Sequence, residues 1–65
     1  MMVFEWQAEE ALLTRTFLKH HGISGRLLSR IKFQGGQILV NGQEKNVRHQ
    51  LTVGDKVTVI LPNEG

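Results

Sequence analysis

The stretch that most constrains the fold of this chain is residues 23–42. Ser24 precedes apolar residues at helical spacing, so its hydroxyl is expected to cap the first turn of a helix. That helix is expected to end at Gly35-Gly36, because glycine reaches left-handed backbone angles without steric cost. Polar and apolar residues then alternate up to Asn41-Gly42, a strong hairpin signal. The stretch therefore predicts a helix, a glycine break and a strand that turns back on itself.

The remaining segments predict an α+β fold, with two short helices packed on one side of a small, mostly antiparallel sheet. Residues 3–7 and 57–61 have the β-branched and aromatic composition of strands. A first helix is predicted over residues 9–20, with glutamates in its first turn and Lys19 in its last, where each suits the helix dipole. Residues 43–46 are expected to continue the hairpin.

The apolar residues on the two predicted helices indicate which side chains fill the core. Trp6 is expected to pack there, in preference to stacking on a nucleic-acid base, since a small domain has few large side chains to bury. The residues expected between the helices and the sheet are Leu13, Phe17, Ile31 and either Leu27 or Leu28.

The length of 65 residues is that of one small domain, and the absence of cysteine excludes disulfides and thiolate metal sites. There is no signal-peptide pattern and no apolar run of the roughly 20 residues that a membrane-spanning helix needs. We therefore expect a soluble, cytoplasmic protein without a membrane partner. Residues 1–61 are predicted to form the domain, and residues 62–65 to begin a linker to a downstream domain.

The net charge of +2 is unevenly distributed along the chain. Residues 1–10 carry three glutamates and no base, whereas residues 11–50 carry seven lysines or arginines against Glu44 alone. A net charge of +6 over forty residues attracts polyanions, although a solvated basic face without a ligand would have the same composition.

The spacing of the basic residues favours a binding patch. Each predicted helix carries two of them four residues apart, so that they share one stripe of its surface. The residues predicted to contact nucleic acid are Arg15, Lys19, Arg26, Arg30 and Lys32, with Lys45 and Arg48 nearer the margin.

No group of residues in the sequence has the pattern of a catalytic or metal site. Asp55 follows a glycine in a predicted turn, which accounts for it without a catalytic role. His20 and His21 are adjacent and His49 is distant, which is poor spacing for metal ligands. We therefore expect no cofactor, no metal and no small-molecule substrate, and no enzymatic activity from this chain by itself.

Three segments resemble the S4 RNA-binding domain: ISGRLLSRIK at residues 23–32, GQILVNG at 36–42 and LTVGDKV at 51–57. The resemblance covers roughly residues 11–60 and implies an S4-like fold with its alpha-L motif. Within that family, the double glycine, the Ile-Lys-Phe stretch and the preceding acidic strand are similar to the N-terminal domain of large-subunit-type pseudouridine synthases.

The resemblance implies a module that positions structured, ribosomal RNA and acts as a monomer. In those enzymes a separate domain carries the catalytic aspartate, and no residue here matches its motif. The matching binding positions are Arg26, Arg30 and Lys32 on the second helix, with Arg15 and Lys19 on the first. Two alternatives remain open at this point: a free-standing S4-type protein that binds ribosomal RNA, and a small protein-interaction domain with a basic face.

Overall fold

A computed structural model describes residues 2–61, which form two helices and one four-stranded sheet. The elements are β1 (Met2–Gln7), α1 (Thr14–His20), α2 (Gly25–Phe33), β2 (Gln37–Val40), β3 (Gln43–Glu44) and β4 (Lys56–Leu61). The order of the strands in the sheet is β1-β4-β2-β3, and every pair is antiparallel. This confirms the predicted α+β fold; the predicted linker at residues 62–65 lies outside the described part of the chain.

The last strand, β4, forms the centre of the sheet, since it pairs with both β1 and β2. Its residues Val57 and Val59 are completely buried. The register places Trp6 beside Val57 and Phe4 beside Val59. Because side chains alternate between the two faces of a strand, these four residues share the face that is turned to the core.

Both helices contribute to the core on that face. Phe17 and Leu18 of α1 and Ile31 of α2 are buried in one cluster with the sheet. Leu51, from the segment before β4, is also fully buried. The predicted burial of Phe17 and Ile31 is confirmed, whereas Leu13 is half-buried. In the part of the chain that the structure describes, no helix has the length and apolar character needed to cross a membrane.

Trp6 packs against the core, as predicted. It is half-buried and lies against the core cluster. Its ring stacks on Phe4 with the centroids 5.7 Å apart and meets Phe17 edge-on at 6.2 Å. The imidazole of His21 stacks on it from the end of α1, at 4.7 Å.

The predicted start of the first helix at residue 9 is wrong, because α1 begins at Thr14. The preceding backbone hydrogen-bonds to the segment before β4 instead of to its own next turn. The N–H of Ala8 donates to the carbonyl of Asp55 at 2.8 Å, and the N–H of Leu51 donates to the carbonyl of Leu12 at 2.8 Å. These long-range bonds outweigh the local preference for helix. The glutamates at positions 9 and 10 therefore precede the helix and do not act on its dipole.

The second helix begins and ends as predicted. The hydroxyl of Ser24 accepts from the N–H of Leu27 at 3.3 Å, which caps the first turn. The helix ends at Phe33, and Gly35 then takes a positive φ of 92°. The N–H of Gly36 donates to the carbonyl of Ile31, five residues earlier, at 2.9 Å. This is the wider-spanning of the two hydrogen bonds that define a Schellman motif.

The second glycine of the pair allows the chain to approach the sheet closely. A Cβ atom on Gly36 would lie 2.6 Å from the carbonyl oxygen of Ile60 and 2.9 Å from Cγ2 of Ile31. Only glycine fits at this position, and the fit places the end of α2 directly against β4.

Candidate nucleic-acid interface

The Asn41-Gly42 turn joins β2 to β3 with positive φ angles of 54° and 82°, as a type I′ hairpin requires. The side chain of Asn41 also reaches the segment before β4. Its Nδ2 donates to Oδ1 of Asp55 at 3.0 Å, and its Oδ1 accepts from the N–H of Lys56 at 3.0 Å. The side chain of Asn41 thus ties the hairpin tip to the start of the central strand, together with a backbone bond from its own N–H to the carbonyl of Lys56 at 2.8 Å.

Asp55 completes this connection through its second carboxylate oxygen. Oδ2 accepts from the N–H of Thr52 at 2.9 Å and from the hydroxyl of Thr52 at 3.1 Å. These bonds, the backbone bond first and then those from Asn41 and the threonine hydroxyl, hold the pKa of Asp55 below its ordinary 3.8. Asn41, Thr52 and Asp55, named here the Asn41–Asp55 cluster, therefore have a structural role, as the turn interpretation of Asp55 predicted.

The basic residues of α2 lie on the side of the helix that faces solvent. Arg26 and Arg30 are exposed, whereas Ile31 on the opposite side is buried. Leu27 and Leu28 are half-buried against the core. The arginine pair therefore shares one exposed stripe.

On α1, Arg15 and Lys19 are both exposed and one turn apart. The N–H of Arg15 donates to the carbonyl of Val47 at 2.9 Å, which fixes residues 46–49 beside the start of α1. Arg48 follows directly in that loop and is also exposed; its N–H donates to Oδ1 of Asn46 at 2.8 Å. The fold therefore brings Arg15 and Arg48 close together, although they are far apart in sequence.

Two further predicted residues border one groove, which we name the α2–hairpin groove. Lys32 of α2 lines one side of it, and Glu44 and Lys45 of the hairpin line the other. The Nε2 of Gln37 donates to Oε2 of Glu44 at 3.4 Å, so this carboxylate is held at the hairpin. The groove consequently has a basic group on each side and one acid, Glu44, on the side of the hairpin.

The remaining described lysine lies on the sheet. The Nζ of Lys56, on β4, is 3.5 Å from Oε1 of Glu5, on β1, with both side chains more than half exposed. Lys56 is thus a charged surface residue outside the predicted patch, and it is suited to serve as a control.

One residue that the sequence interpretation did not place in the site is Phe33, the last residue of α2. It is 79% exposed, more than any other large hydrophobic side chain among residues 2–61. The Nζ of Lys32 lies 5.7 Å from the centroid of its ring. The sequence does contain a signal for this exposure. Phe33 follows the buried Ile31 by two residues, and on a helix this spacing points its side chain away from the core. Arg26, Arg30 and Phe33 are named here the outer face of α2.

The histidines do not form a metal site. Among residues 2–61, no group of three or more His, Asp or Glu side chains is arranged to hold a metal ion. His21 packs against aromatic rings, at 4.5 Å from Phe17 and 4.7 Å from Trp6.

Comparison with known proteins gives one clear relationship. The chain is 46% identical over 43 residues to the uncharacterized RNA pseudouridine synthase YjbO of Bacillus subtilis (strain 168). The match covers 66% of this chain but 15% of the length of that protein. No protein-family model matches the chain, and no solved structure matches it significantly. The chain is therefore a partial homologue of an RNA pseudouridine synthase.

Proposed function

We propose that this chain is the RNA-binding module of an RNA pseudouridine synthase, which holds structured ribosomal RNA while a separate region performs the chemistry. The partial identity to YjbO carries this proposal, because that protein is an RNA pseudouridine synthase by name and the match covers a small part of it. On this proposal the module is an S4-like domain that acts as a monomer in the cytoplasm.

The electrostatics of the fold support the proposal. All seven predicted contact residues have exposed side chains, so binding a polyanion would require no rearrangement of the core. They lie in three groups: the outer face of α2, the exposed side of α1 with the loop that carries Arg48, and the α2–hairpin groove. Lysine and arginine bind phosphates by displacing condensed counterions, so affinity is expected to fall steeply with salt.

The shape of RNA decides what such a surface recognises. The major groove of helical RNA is too deep and narrow for side chains to read, so recognition depends on phosphates, 2′-hydroxyls and unpaired nucleotides. We therefore expect a preference for an RNA stem-loop over a DNA hairpin of the same sequence.

Catalysis is assigned to another region because the one aspartate of this chain is already hydrogen-bonded within the fold. Asp55 is the one aspartate that the sequence contains. Its two carboxylate oxygens accept hydrogen bonds from Asn41 and Thr52 within the fold. We expect no uridine isomerisation from this chain alone.

The test is RNA affinity measured over a series of salt concentrations for Arg26→Ala/Arg30→Ala. If both arginines contact phosphates, the double variant binds more weakly and its log–log salt slope falls by about one to two units. Its free energy of unfolding is expected to change by less than about 0.5 kcal/mol, since both side chains are exposed.

Lys56→Ala is the matched control, because it removes a positive charge from the sheet and not from the patch. An equal loss of affinity in Lys56→Ala would mean diffuse charge attraction and would reject the patch. Equal affinity for the RNA stem-loop and the DNA hairpin would reject recognition of RNA. Absence of binding to either would reject the proposal in favour of a protein-interaction domain.

A further inference from the structure

Phe33 is an aromatic residue that the fold does not use for packing. The other rings of Phe and Trp, at positions 4, 6 and 17, contact one another and the core. Phe33 instead leaves most of its ring in solvent at the end of α2. The rest of the fold consequently gives no structural reason for an aromatic ring at this position.

Three basic residues share the helix of this ring. Arg26 and Arg30 precede it by seven and three residues, and these spacings place the two arginines and Phe33 on one stripe of the helix. The ammonium of Lys32 lies over the ring, 5.7 Å from its centroid. Lys32 also lines the α2–hairpin groove, so this cation lies next to both the ring and the groove.

An unpaired nucleotide fits this arrangement better than an apolar protein surface does. A base offers a flat π-face to the ring, and its flanking phosphates pair with the arginines and the lysine. An apolar protein partner would instead have to take the charges of Arg26 and Lys32 out of water and would offer them no counter-charge, which is costly. The charges around the ring therefore select a ligand that is both aromatic and polyanionic.

We propose that Phe33 is a stacking platform for an unpaired RNA base, whose neighbouring phosphates are bound by Arg26, Arg30 and Lys32. The proposal rests on the proposed RNA-binding function and specifies its ligand: an RNA stem that carries an unpaired nucleotide at a bulge or a loop. Phe33 supplies the preference for the unpaired base, and the cations supply affinity that a fully paired stem shares.

The experiment compares two RNA probes with the 65-residue chain. One is a stem with a single unpaired 2-aminopurine nucleotide, and the other is the same stem without the unpaired nucleotide. Phe33→Ala is expected to bind the first probe about tenfold more weakly, as measured losses of base–aromatic stacking suggest, and to bind the second probe unchanged. Stacking quenches 2-aminopurine fluorescence, so the original chain is expected to quench the probe and Phe33→Ala is not.

Three further variants sharpen the result. Phe33→Trp retains a stacking ring and is expected to keep both the affinity and the quenching. Phe33→Leu retains an apolar side chain without a π-face and is expected to behave like Phe33→Ala. Val53→Ala removes another highly exposed apolar side chain, 71% exposed, and is expected to change nothing.

Several outcomes would overturn the stacking proposal. An equal loss for both probes would show that Phe33 is not specific for an unpaired base. Unchanged binding in Phe33→Ala would show that the ring does not stack on a base, and full affinity in Phe33→Leu would show that the π-face is not needed. If the original chain bound neither probe, the proposed function would fail, and the stacking proposal with it. Salt-sensitive binding of both probes with no effect of Phe33→Ala would remove the stacking proposal alone.

Discussion

The Asn41–Asp55 cluster and the outer face of α2 use polar side chains in opposite ways. In the cluster, both polar atoms of Asn41 and both carboxylate oxygens of Asp55 are bonded to groups of the same fold. On the outer face of α2, the arginine and phenylalanine side chains extend into solvent. The first region uses its hydrogen-bonding groups to hold strands together, and the second presents charged and aromatic side chains at the surface.

This difference bears on how the sequence signature should be understood. The Val-Asn-Gly and Gly-Asp segments, on which the predicted S4 resemblance depends, meet in the Asn41–Asp55 cluster. The presence of these two segments therefore indicates the fold and does not by itself indicate a ligand-binding surface. A chain can possess the cluster and lack a functional outer face, so binding has to be tested on α2 and stability on the cluster.

The largest effect is expected where α2 is anchored to the sheet. Gly36→Ala would place a methyl group 2.6 Å from the carbonyl oxygen of Ile60, a backbone atom that cannot move without disturbing β4. We expect a loss of about 3 kcal/mol in the free energy of unfolding, measured by urea denaturation followed by circular dichroism. The outer face of α2 would lose its orientation together with the fold.

Gly25→Ala is the matched control for this variant, since a Cβ on Gly25 meets nothing within 4 Å. It is expected to remain as stable as the original chain or to gain up to about 0.5 kcal/mol, because alanine favours the helix. Equal stability of the two alanine variants would show that the close approach of Gly36 to the sheet is not a constraint.

A smaller effect is expected from the cluster itself. Asn41→Ala removes the hydrogen bonds to Asp55 and Lys56 and leaves alanine at a φ of 54°, so we expect a loss of about 1–2 kcal/mol. The salt slope of RNA binding is expected to stay unchanged, the reverse of the result for the arginine pair. Both quantities are measured by urea denaturation and by binding over a salt series.

Asn41→Gly separates the two causes, since glycine accepts the positive φ but lacks the side-chain bonds. It is expected to lie between the original chain and Asn41→Ala in stability. Full stability in Asn41→Gly would mean that the bonds to Asp55 and Lys56 contribute nothing, and the contrast between the two regions would then fail.

The smallest effect is expected from acid, because the Asp55 carboxylate lies at the surface. Its pKa is lower in the folded protein than the ordinary 3.8, so its ionised form favours the folded state above about pH 3.8. This contribution is lost as the pH falls through the lowered pKa. We expect the original chain to be more stable than Asp55→Asn at pH 5.5 and the difference to shrink toward pH 2.5, in urea denaturation at both values. A difference that does not depend on pH would show that the charge of Asp55 has no part in the cluster.

The sequence predicted the features that depend on neighbouring residues better than those that depend on contacts between residues far apart in the chain. The Ser24 cap, the end of α2 before Gly35 and the hairpin at Asn41 each depend on neighbouring residues, and each is confirmed. The predicted start of α1 was wrong because the carbonyl of Leu12 accepts a hydrogen bond from the N–H of Leu51, a partner that local helix propensity does not reveal.

The candidate site was predictable to a similar extent. The spacing of Arg26 and Arg30 indicated an exposed stripe, and the structure exposes both residues. The pairing of Arg15 with the Arg48 loop and the position of Lys45 across the groove from Lys32 depend on how distant segments dock. Whether these groups act together on one RNA stays a prediction.

The pairing of β1 with β4 has a consequence for how the chain acquires its structure. Val3 lies beside Ile60 in the sheet, so the first strand of this sheet along the chain has its partner among the last residues of the described part. Contacts between residues so far apart in sequence form slowly, because a long loop must close before they are rewarded. Phe4 and Trp6 meanwhile lack the valines that later lie beside them. β1 can therefore complete its pairing only after β4 has been made, although it is the first strand of this sheet to be synthesised.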